Sequence, residues 1–309
     1  MAQIDIGKVA FAGFGLVRRK PMAVVGWALF LFVVGVLPAL AFVGPMMTNI
    51  SEFIAMAKSD VEPSRERMME MMSTMYAAHP ILWLTGLITR VVLTGAIFRA
   101  ILEPSAGRWA YMRLGKAEVM MALVVIVLGI LIGIGFGVGV AVVVGICAAL
   151  WQTAHSAAVG AGIILGVGLF LALIWVLLRF SLAAPLSFDE KNFRLFESFR
   201  LTKGNSLRLL LVALLVWIML MVLEVLVAAI AMAILIPVVH LGAGSVALTE
   251  ESIVAFFSQP ASTWLPLVLP WAAGIGLIGS LVGVVFVAVA TAPWAEAYRQ
   301  LRKTPDALV

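Results

Sequence analysis

Six long apolar runs divide this chain, and no other feature of the sequence constrains its fold as strongly. A helix needs about 20 consecutive apolar residues to cross the hydrocarbon core of a bilayer. The pattern therefore predicts an all-α membrane protein with six transmembrane helices, built as a single transmembrane domain over residues 1–309. The predicted spans lie near residues 22–44, 81–103, 119–150, 157–186, 209–238 and 265–292.

The composition excludes an ordinary soluble domain. Of the 309 residues, 63% are hydrophobic and only 12% are charged, whereas a soluble domain is about half apolar and about a quarter charged. The net charge of +5 does not indicate nucleic-acid binding, because the basic residues are spread over four segments and form no single stripe.

Basic residues are concentrated in alternate gaps between the apolar runs. They precede the first run, fill the gaps 104–118 and 187–208, and recur in the C-terminal tail. The gaps 45–80, 151–156 and 239–264 carry no excess of positive charge. Because positively charged loops stay on the cytoplasmic side, we predict a multi-pass protein of the bacterial inner membrane with both termini cytoplasmic.

The segments on the predicted cytoplasmic side resemble one another. Each second span ends in a residue pair that contains proline, where a helix stops or bends. The three pairs are Glu103-Pro104, Ala184-Pro185 and Ala292-Pro293. This recurrence predicts internal repeats 1–103, 104–186 and 187–295 with pseudo-threefold symmetry. Alternatively, aromatic and basic residues recur at membrane boundaries for general reasons.

Short amphipathic stretches next to these prolines are predicted to lie in the headgroup region as interfacial helices. Phe193, Phe196 and Phe199 recur every three residues and so share one face of a helix. Nearby basic side chains can bind anionic headgroups of the cytoplasmic leaflet at about 1 kcal/mol each, or they fix orientation alone. The candidate lipid-phosphate contacts are Arg18, Arg19, Lys20, Arg113, Lys116, Arg179, Arg200 and Lys203.

Three charged residues inside the spans form a candidate intramembrane polar site. Glu224 lies in the fifth run, and Arg90 and Arg99 lie in the second. A charge at bilayer depth is costly, so it usually faces a partner or a cavity. Glu224 and Arg90 lie about half-way along their helices and are predicted to pair, whereas Arg99 and Arg179 can extend towards the cytoplasmic face. Such a pair either fixes helix register or relays protons or substrate.

Glycines spaced by four residues are predicted to let the helices approach closely. Alternatively, they line a pore. The groups are Gly129, Gly133 and Gly137, then Gly135 and Gly139, Gly162 and Gly166, and Gly279 and Gly283.

A stripe of methionines lies ahead of the second run. Met68, Met72, Met75 and His79 share one face of a helix, and thioether and imidazole ligands suit Cu(I). Flexible methionines also pack against lipid or neighbouring helices, and the sequence does not decide whether the stripe binds metal.

No group of residues indicates catalysis. His79, His155 and His240 are far apart in the chain. No serine lies in a nucleophile elbow, and no carboxylates have metal-ligand spacing. We therefore predict that the protein is not an enzyme and has no cofactor.

One segment of the chain carries a family resemblance. Residues 179–210 read RFSLAAPLSFDEKNFRLFESFRLTKGNSLRLL, with an R-x-x-L-A-x-P span end and an S-x-x-L-T-K-G turn. This segment resembles a group of bacterial six-span membrane proteins that includes the membrane domain attached to some glycerophosphodiester phosphodiesterases. The resemblance implies a six-helix inner-membrane protein without the catalytic barrel. The residues that carry it are Arg179, Ala184, Pro185, Ser198, Leu201, Thr202, Lys203 and Gly204.

Two functions follow from these observations. The first is a non-enzymatic module that binds anionic membrane lipids or a partner, or acts as a scaffold, although the sequence identifies no protein partner. The alternative is a transporter or channel for a small solute or lipid. A polar cavity at the level of Glu224 and Arg90 would favour transport, whereas a closed, glycine-packed interior would favour the scaffold.

Overall fold

The computed structural model describes residues 4–36, 38, 64–77, 79–105, 108–242, 259 and 261–302. All regular structure in these residues is helical. Part of the first predicted span, residues 37 and 39–44, lies outside the described residues. The helices are α1 Ile6–Ala10, α2 Ala12–Arg19, α3 Pro21–Phe30, α4 Arg65–Ala77, α5 His79–Leu102, α6 Lys116–Trp151, α7 His155–Phe180, α8 Ala183–Glu190, α9 Glu197–Leu201, α10 Ser206–Gly242 and α11 Ala261–Arg302.

Five of these helices are long and apolar enough to cross a membrane, which fits a multi-pass membrane protein. The most apolar windows of α6, α7 and α10 are only 11%, 6% and 11% buried. A helix that is apolar all round must contact lipid or other protein, so these surfaces are suited to a bilayer. The five spans are Pro80–Leu102, Lys116–Trp151, His155–Glu190, Ser206–Ile234 and Pro266–Arg302.

The N-terminal region contains the predicted amphipathic helix followed by an apolar one. Helix α2 meets the apolar segment Pro21–Val36 at an angle of 97°. Lys20 lies outside the helical region, with φ −131° and ψ 54°, since a following proline disfavours the helical conformation. Pro21 starts α3 where its missing N–H costs nothing. The last six residues of this segment, Leu31–Val36, have the wider π-helical turn. Helix α2 and the segment Pro21–Val36 provide a sixth candidate span only if the two are counted together as one broken span.

The three prolines predicted to end the second, fourth and sixth apolar runs lie in different positions relative to the helices. Helix α5 ends at Leu102, before Pro104. Pro185 lies in the first turn of α8, after a break at Ser181 and Leu182. Helix α11 continues through Pro293 to Arg302, so this proline does not stop the helix. The residues beyond it include buried Ala295, Ala297, Tyr298 and Leu301, and this packing stabilises the continued helix against the loss of one backbone hydrogen bond.

Two compact units share the chain. Unit 1 comprises Met1–Leu16, Thr94–Trp217 and Val289–Val309, and unit 2 comprises Val17–Leu93 and Ile218–Ala288. In unit 1, α6 and α7 form a helical hairpin, and α8 packs on α6. Part of its core is a cluster of Val124, Ala183 and Leu195, with Phe180 packed against it.

Only some of the predicted glycine contacts bring helices together. A Cβ added to Gly139 would lie 2.6 Å from Leu169 Cδ1, and one added to Gly283 would lie 3.3 Å from Leu31 Cδ2. A Cβ added to Gly162 would lie 3.2 Å from the Cys147 sulfur. These positions are close approaches, as predicted. Among the described residues, nothing beyond the local helix backbone and the chain neighbours lies within 4 Å of a Cβ built on Gly129, Gly133, Gly135, Gly137, Gly166 or Gly279.

Candidate functional site

Arg179 is a partly buried arginine with two unsatisfied guanidinium nitrogens. Arg179 lies in the last turn of α7. Its Nε and Nη1 atoms are buried and have no hydrogen-bond partner within the described part of the chain. A guanidinium stays charged and offers five N–H donors. Burying such donors without acceptors is costly, so this position is suited to an acceptor from outside the chain.

Two aromatic rings form the walls around this cation. Arg179 Cζ lies 4.7 Å from the centre of the Phe199 ring and 5.5 Å from that of Trp175. The two rings meet edge to face at 5.4 Å. Trp175 precedes Arg179 by four residues and therefore shares its helix face. Both rings attract the cation but accept no strong hydrogen bond, so they position the guanidinium without satisfying its N–H donors.

Helix α9 is attached to the end of α7 by two hydroxyl groups. Ser198 Oγ donates to the Arg179 carbonyl at 2.9 Å, and Thr202 Oγ1 lies 3.4 Å from the same oxygen. Both side chains are buried. The last carbonyls of a helix have no partner within it, so these hydroxyls cap α7 and place Phe199 over the cation. Three of the residues in the R-x-x-L-A-x-P and S-x-x-L-T-K-G segments thus meet at one place.

An ion-pair cluster supports the connector ahead of α9. Arg194 Nη1 lies 2.8 Å from Glu197 Oε1, and Arg194 Nε lies 2.9 Å from Glu190 Oε2. The backbone N–H of Arg194 donates to Ser187 Oγ at 3.0 Å. The hydrogen bond from Arg194 lowers the pKa of the Glu197 carboxyl below its ordinary value of 4.5. The connector is therefore held in place between α8 and α9.

A second buried arginine has a complete set of partners. Arg99 donates from Nη2 to Glu118 and from Nη1 to the Tyr111 carbonyl at 2.6 Å. The Glu118 side chain is 1% exposed, and its Oε2 accepts from the Gly115 N–H at 3.0 Å. A Cβ added to Gly95 would lie 2.8 Å from Glu118 Cγ. The cluster satisfies its charges within the chain. Arg99, which was predicted to be able to extend towards the cytoplasmic face, is instead buried.

Helix α8 is joined to the end of α11 by a third polar cluster. Asp189 accepts from the Tyr298 hydroxyl at 2.9 Å and from Arg302 Nη1 at 2.6 and 2.7 Å. The N–H of Asp5 donates to Gln300 Oε1 at 2.9 Å. These contacts give a further reason for the continuation of α11 beyond Pro293.

A narrow apolar cavity lies between α6 and α7 in unit 1. Its volume is about 300 Å³, which is at the lower end of the range of about 300–1,000 Å³ for ligand pockets. Helix α6 contributes residues from Leu128 to Phe136, and helix α7 contributes residues from Leu169 to Phe180. Every lining residue is apolar. Neither Glu224 nor Arg90 contributes to this cavity.

Glu224 and Arg90 were predicted to pair, but the structure does not bring them together. Both side chains are exposed, and no ion pair joins them in the described part of unit 2. Similar depth along two helices does not make two side chains face each other, since the rotation of each helix also matters. Of the three predicted intramembrane charges, only Arg99 is buried in an ion pair, and its partner is Glu118.

The other predicted lipid contacts lie on the surface. Lys20 is partly buried, and the exposed ones among the predicted contacts are Arg18, Arg19, Arg113, Lys116, Arg200 and Lys203.

The predicted methionine stripe begins on helix α4. This helix places Met68 and Met72 on its exposed surface, while the side chains of Met75 and His79 lie outside the described residues.

Sequence patterns alone missed two functional carboxylates. Glu118 lies at the start of an apolar run, where a charged residue is ordinary, so the sequence did not single it out. The spacing from Gly115 to Glu118 nevertheless fits a helix cap. Asp189 lies in the charged connector without a distinctive motif.

No protein-family model, curated protein or solved structure matches the chain. The resemblance to the phosphodiesterase-associated membrane domain stays a prediction.

Proposed function

We propose that this chain is a non-enzymatic membrane protein that binds anionic phospholipid headgroups at Arg179. The observation that carries the proposal is the pair of buried guanidinium nitrogens without an acceptor. A phosphate supplies two or more acceptor oxygens, and arginine binds phosphate through two parallel hydrogen bonds. The aromatic walls and the capped end of α7 hold the guanidinium ready for such a ligand.

The position of Arg179 favours a lipid phosphate. It lies in the last turn of an apolar helix, and the connector that follows carries Lys191, Arg194, Arg200 and Lys203. Headgroup phosphates lie at this boundary, and basic residues near an anionic leaflet each contribute about 1 kcal/mol of attraction. The exposed Arg200 and Lys203 supply this general attraction, whereas Arg179 supplies a specific contact.

The same proposal includes the arrangement in the membrane. We propose six spans, with the bent N-terminal pair as the first, in the bacterial inner membrane with both termini cytoplasmic. The connector at Arg179 would then lie on the cytoplasmic leaflet, where anionic lipids are attracted by basic segments. Reporter fusions after Lys20, Lys116, Lys203 and Lys303 should all report a cytoplasmic location, and one outside result would overturn this topology.

We also propose the three internal repeats 1–103, 104–186 and 187–295. They are supported by one local similarity, since the Arg99 side chain donates to Glu118 and the Arg179 backbone carbonyl accepts from Ser198, each 19 positions later. Three units with different span-to-span arrangements in an experimental structure would overturn the repeats.

Lipid-dependent thermal stability tests the headgroup site. Wild-type protein in zwitterionic detergent should gain stability when phosphatidylglycerol is added, because a ligand that binds only the folded state stabilises it by about 2.7 kcal/mol at 100 times its Kd. Arg179→Met should remain folded without lipid, since it removes an unsatisfied cation, but should lose the increase in Tm. Arg65→Met, which removes an exposed arginine outside the predicted lipid contacts, is the matched control and should retain it.

Two outcomes would contradict the proposal. An equal increase in Tm for wild type and Arg179→Met would show that Arg179 does not bind the lipid. An equal increase with phosphatidylcholine would show that the negative charge of the lipid is not recognised.

A further inference from the structure

The cavity between α6 and α7 extends along the membrane-spanning direction of one helix. Its lining runs from Leu169 to Phe180 on α7. These residues span about 16 Å at about 1.5 Å per residue, and one leaflet contributes about half of the ~30 Å hydrocarbon core. The cavity is therefore about as long as one leaflet is deep.

The cavity is too narrow for a protein helix. Its volume of about 300 Å³ is at the lower end of the range of about 300–1,000 Å³ for small-ligand pockets. Its lining is apolar throughout and follows α7 for about 16 Å. A single extended hydrocarbon chain fits this shape better than a partner helix or a second copy of α7.

The two ends of the cavity have different structures. At one end, Gly139 and Leu169 bring α6 and α7 into close contact, with 2.6 Å between the Leu169 methyl carbon and a Cβ built on Gly139. One turn away, a Cβ on Gly135 would have no atom within 4 Å. At the other end, Leu128 and Phe180 pack on the core cluster of Val124, Ala183 and Leu195.

The Arg179 site lies next to this second end. Phe180 lines the cavity, and its ring centre lies 6.0 Å from that of Phe199. The Arg179 guanidinium lies 4.7 Å from the same Phe199 ring. The Phe199 ring thus lies close both to the unsatisfied cation and to a residue that lines the apolar cavity, which suits an anionic headgroup with an attached hydrocarbon chain.

We infer that the cavity holds one acyl chain of the anionic phospholipid whose phosphate binds Arg179. This inference rests on the proposed headgroup site and specifies its ligand as a long-chain phospholipid. The phosphate accepts from the Arg179 guanidinium, whose Nε and Nη1 are covered in the structure and become accessible when the side chain or the ring above it moves, and the chain runs from Phe180 towards Gly139. Each methylene that enters the cavity gains van der Waals contacts with the lining residues, so affinity depends on chain length.

Filling the cavity tests the inference. Gly135→Leu places a side chain in open cavity space, and Ala172→Phe fills the same space from α7. Gly133→Leu is the matched control, because Gly133 lies on the same helix, does not line the cavity and also has no atom within 4 Å of its Cβ. Binding would be followed by native mass spectrometry during titration with long-chain phosphatidylglycerol, short-chain phosphatidylglycerol and inorganic phosphate.

Wild type and Gly133→Leu should bind the long-chain lipid about equally, and both cavity-filling variants should bind it at least tenfold more weakly. Binding of short-chain phosphatidylglycerol should be the same in all four proteins. Unchanged Tm values in lipid-free detergent establish that the variants are folded. Because the two cavity-filling variants approach the cavity from different helices, a loss of binding in both would have the filled cavity as its common cause.

The outcomes separate this inference from the headgroup site. If Gly135→Leu and Ala172→Phe bind the long-chain lipid as wild type does, while Arg179→Met has lost it, the acyl-chain site is wrong and the headgroup site stands. If wild type binds inorganic phosphate as tightly as the long-chain lipid, the chain contributes nothing and the inference is overturned. If Arg179→Met binds every ligand as wild type does, the headgroup site itself is wrong.

Discussion

The two arginines Arg99 and Arg179 lie in similar places in unit 1 but have different partners. Each is near the end of an apolar helix, and each stacks on aromatic rings. Arg99 donates to the Glu118 carboxylate and the Tyr111 carbonyl, whereas Nε and Nη1 of Arg179 donate to nothing in the described residues. A buried cation with an internal carboxylate stabilises the fold, and one without it is available to bind an external anion.

The largest expected effect comes from removing the internal carboxylate. Glu118→Leu should lower the free energy of unfolding by about 3–5 kcal/mol, because it leaves the Arg99 charge buried without compensation. Adding Arg99→Met should restore part of this loss, since an apolar pair can replace a buried ion pair. Denaturation in detergent measures both variants. A double variant no more stable than Glu118→Leu would show that the two residues do not stabilise each other.

The next largest effect concerns the space around the closed cluster. Gly95→Ala should destabilise the protein by about 1–3 kcal/mol, because its Cβ would lie 2.8 Å from Glu118 Cγ and overpacking has a cost of this size. Gly86→Ala on the same helix is the control, since no atom lies within 4 Å of its Cβ. Equal thermal stability of the two variants would contradict the tight packing at Glu118.

A smaller effect is expected where α9 is attached near the open site. Ser198→Ala removes the hydrogen bond to the Arg179 carbonyl and should lower the free energy of unfolding by about 0.5–1.5 kcal/mol. It should also weaken phosphatidylglycerol binding, because Phe199 is no longer held over the guanidinium. Ser206→Ala, which removes a bond from Ser206 Oγ to the Thr202 carbonyl, should leave lipid binding unchanged. Equal lipid binding by both variants would contradict the role of Ser198.

The sequence predicted the helical class, most of the span positions and the candidate Arg179. These follow from hydropathy and local chemistry, since apolar length indicates a span and an R-x-x-L-A-x-P segment indicates its end. The partner of Arg99 was not predictable in this way. The pairing of Arg90 with Glu224 was inferred from depth alone, and depth does not determine which faces of two helices meet.

The cavity could not be predicted from the sequence for a related reason. Gly135 and Gly139 have the same residue type and belong to the same spacing pattern, yet only Gly139 meets α7 closely. The difference depends on how the two helices cross, which the glycine spacing does not specify. Similarly, Pro293 could not be predicted to lie inside a continuous helix, because the contacts beyond it are tertiary.

The smallest expected effect is a pH dependence of the connector. The hydrogen bond from Arg194 lowers the pKa of Glu197 below 4.5, so the ionised carboxylate stabilises the folded state. This contribution is present above the unfolded-state pKa and is lost as the pH falls through the lowered folded-state pKa. Glu197→Gln should therefore flatten the acid limb of the stability profile. An unchanged acid limb would show that this exposed pair contributes nothing measurable.

The most direct test of the central claim is the distance between arginine nitrogens and lipid phosphorus. Solid-state NMR would measure dephasing of side-chain ¹⁵N signals by lipid ³¹P, with ¹⁵N-arginine protein in phosphatidylglycerol bilayers. Wild type should show a strongly dephased signal that is missing from Arg179→Met and retained in Arg65→Met, because the phosphate lies within hydrogen-bond distance of Arg179. The same dephased signals in wild type and Arg179→Met would contradict the account.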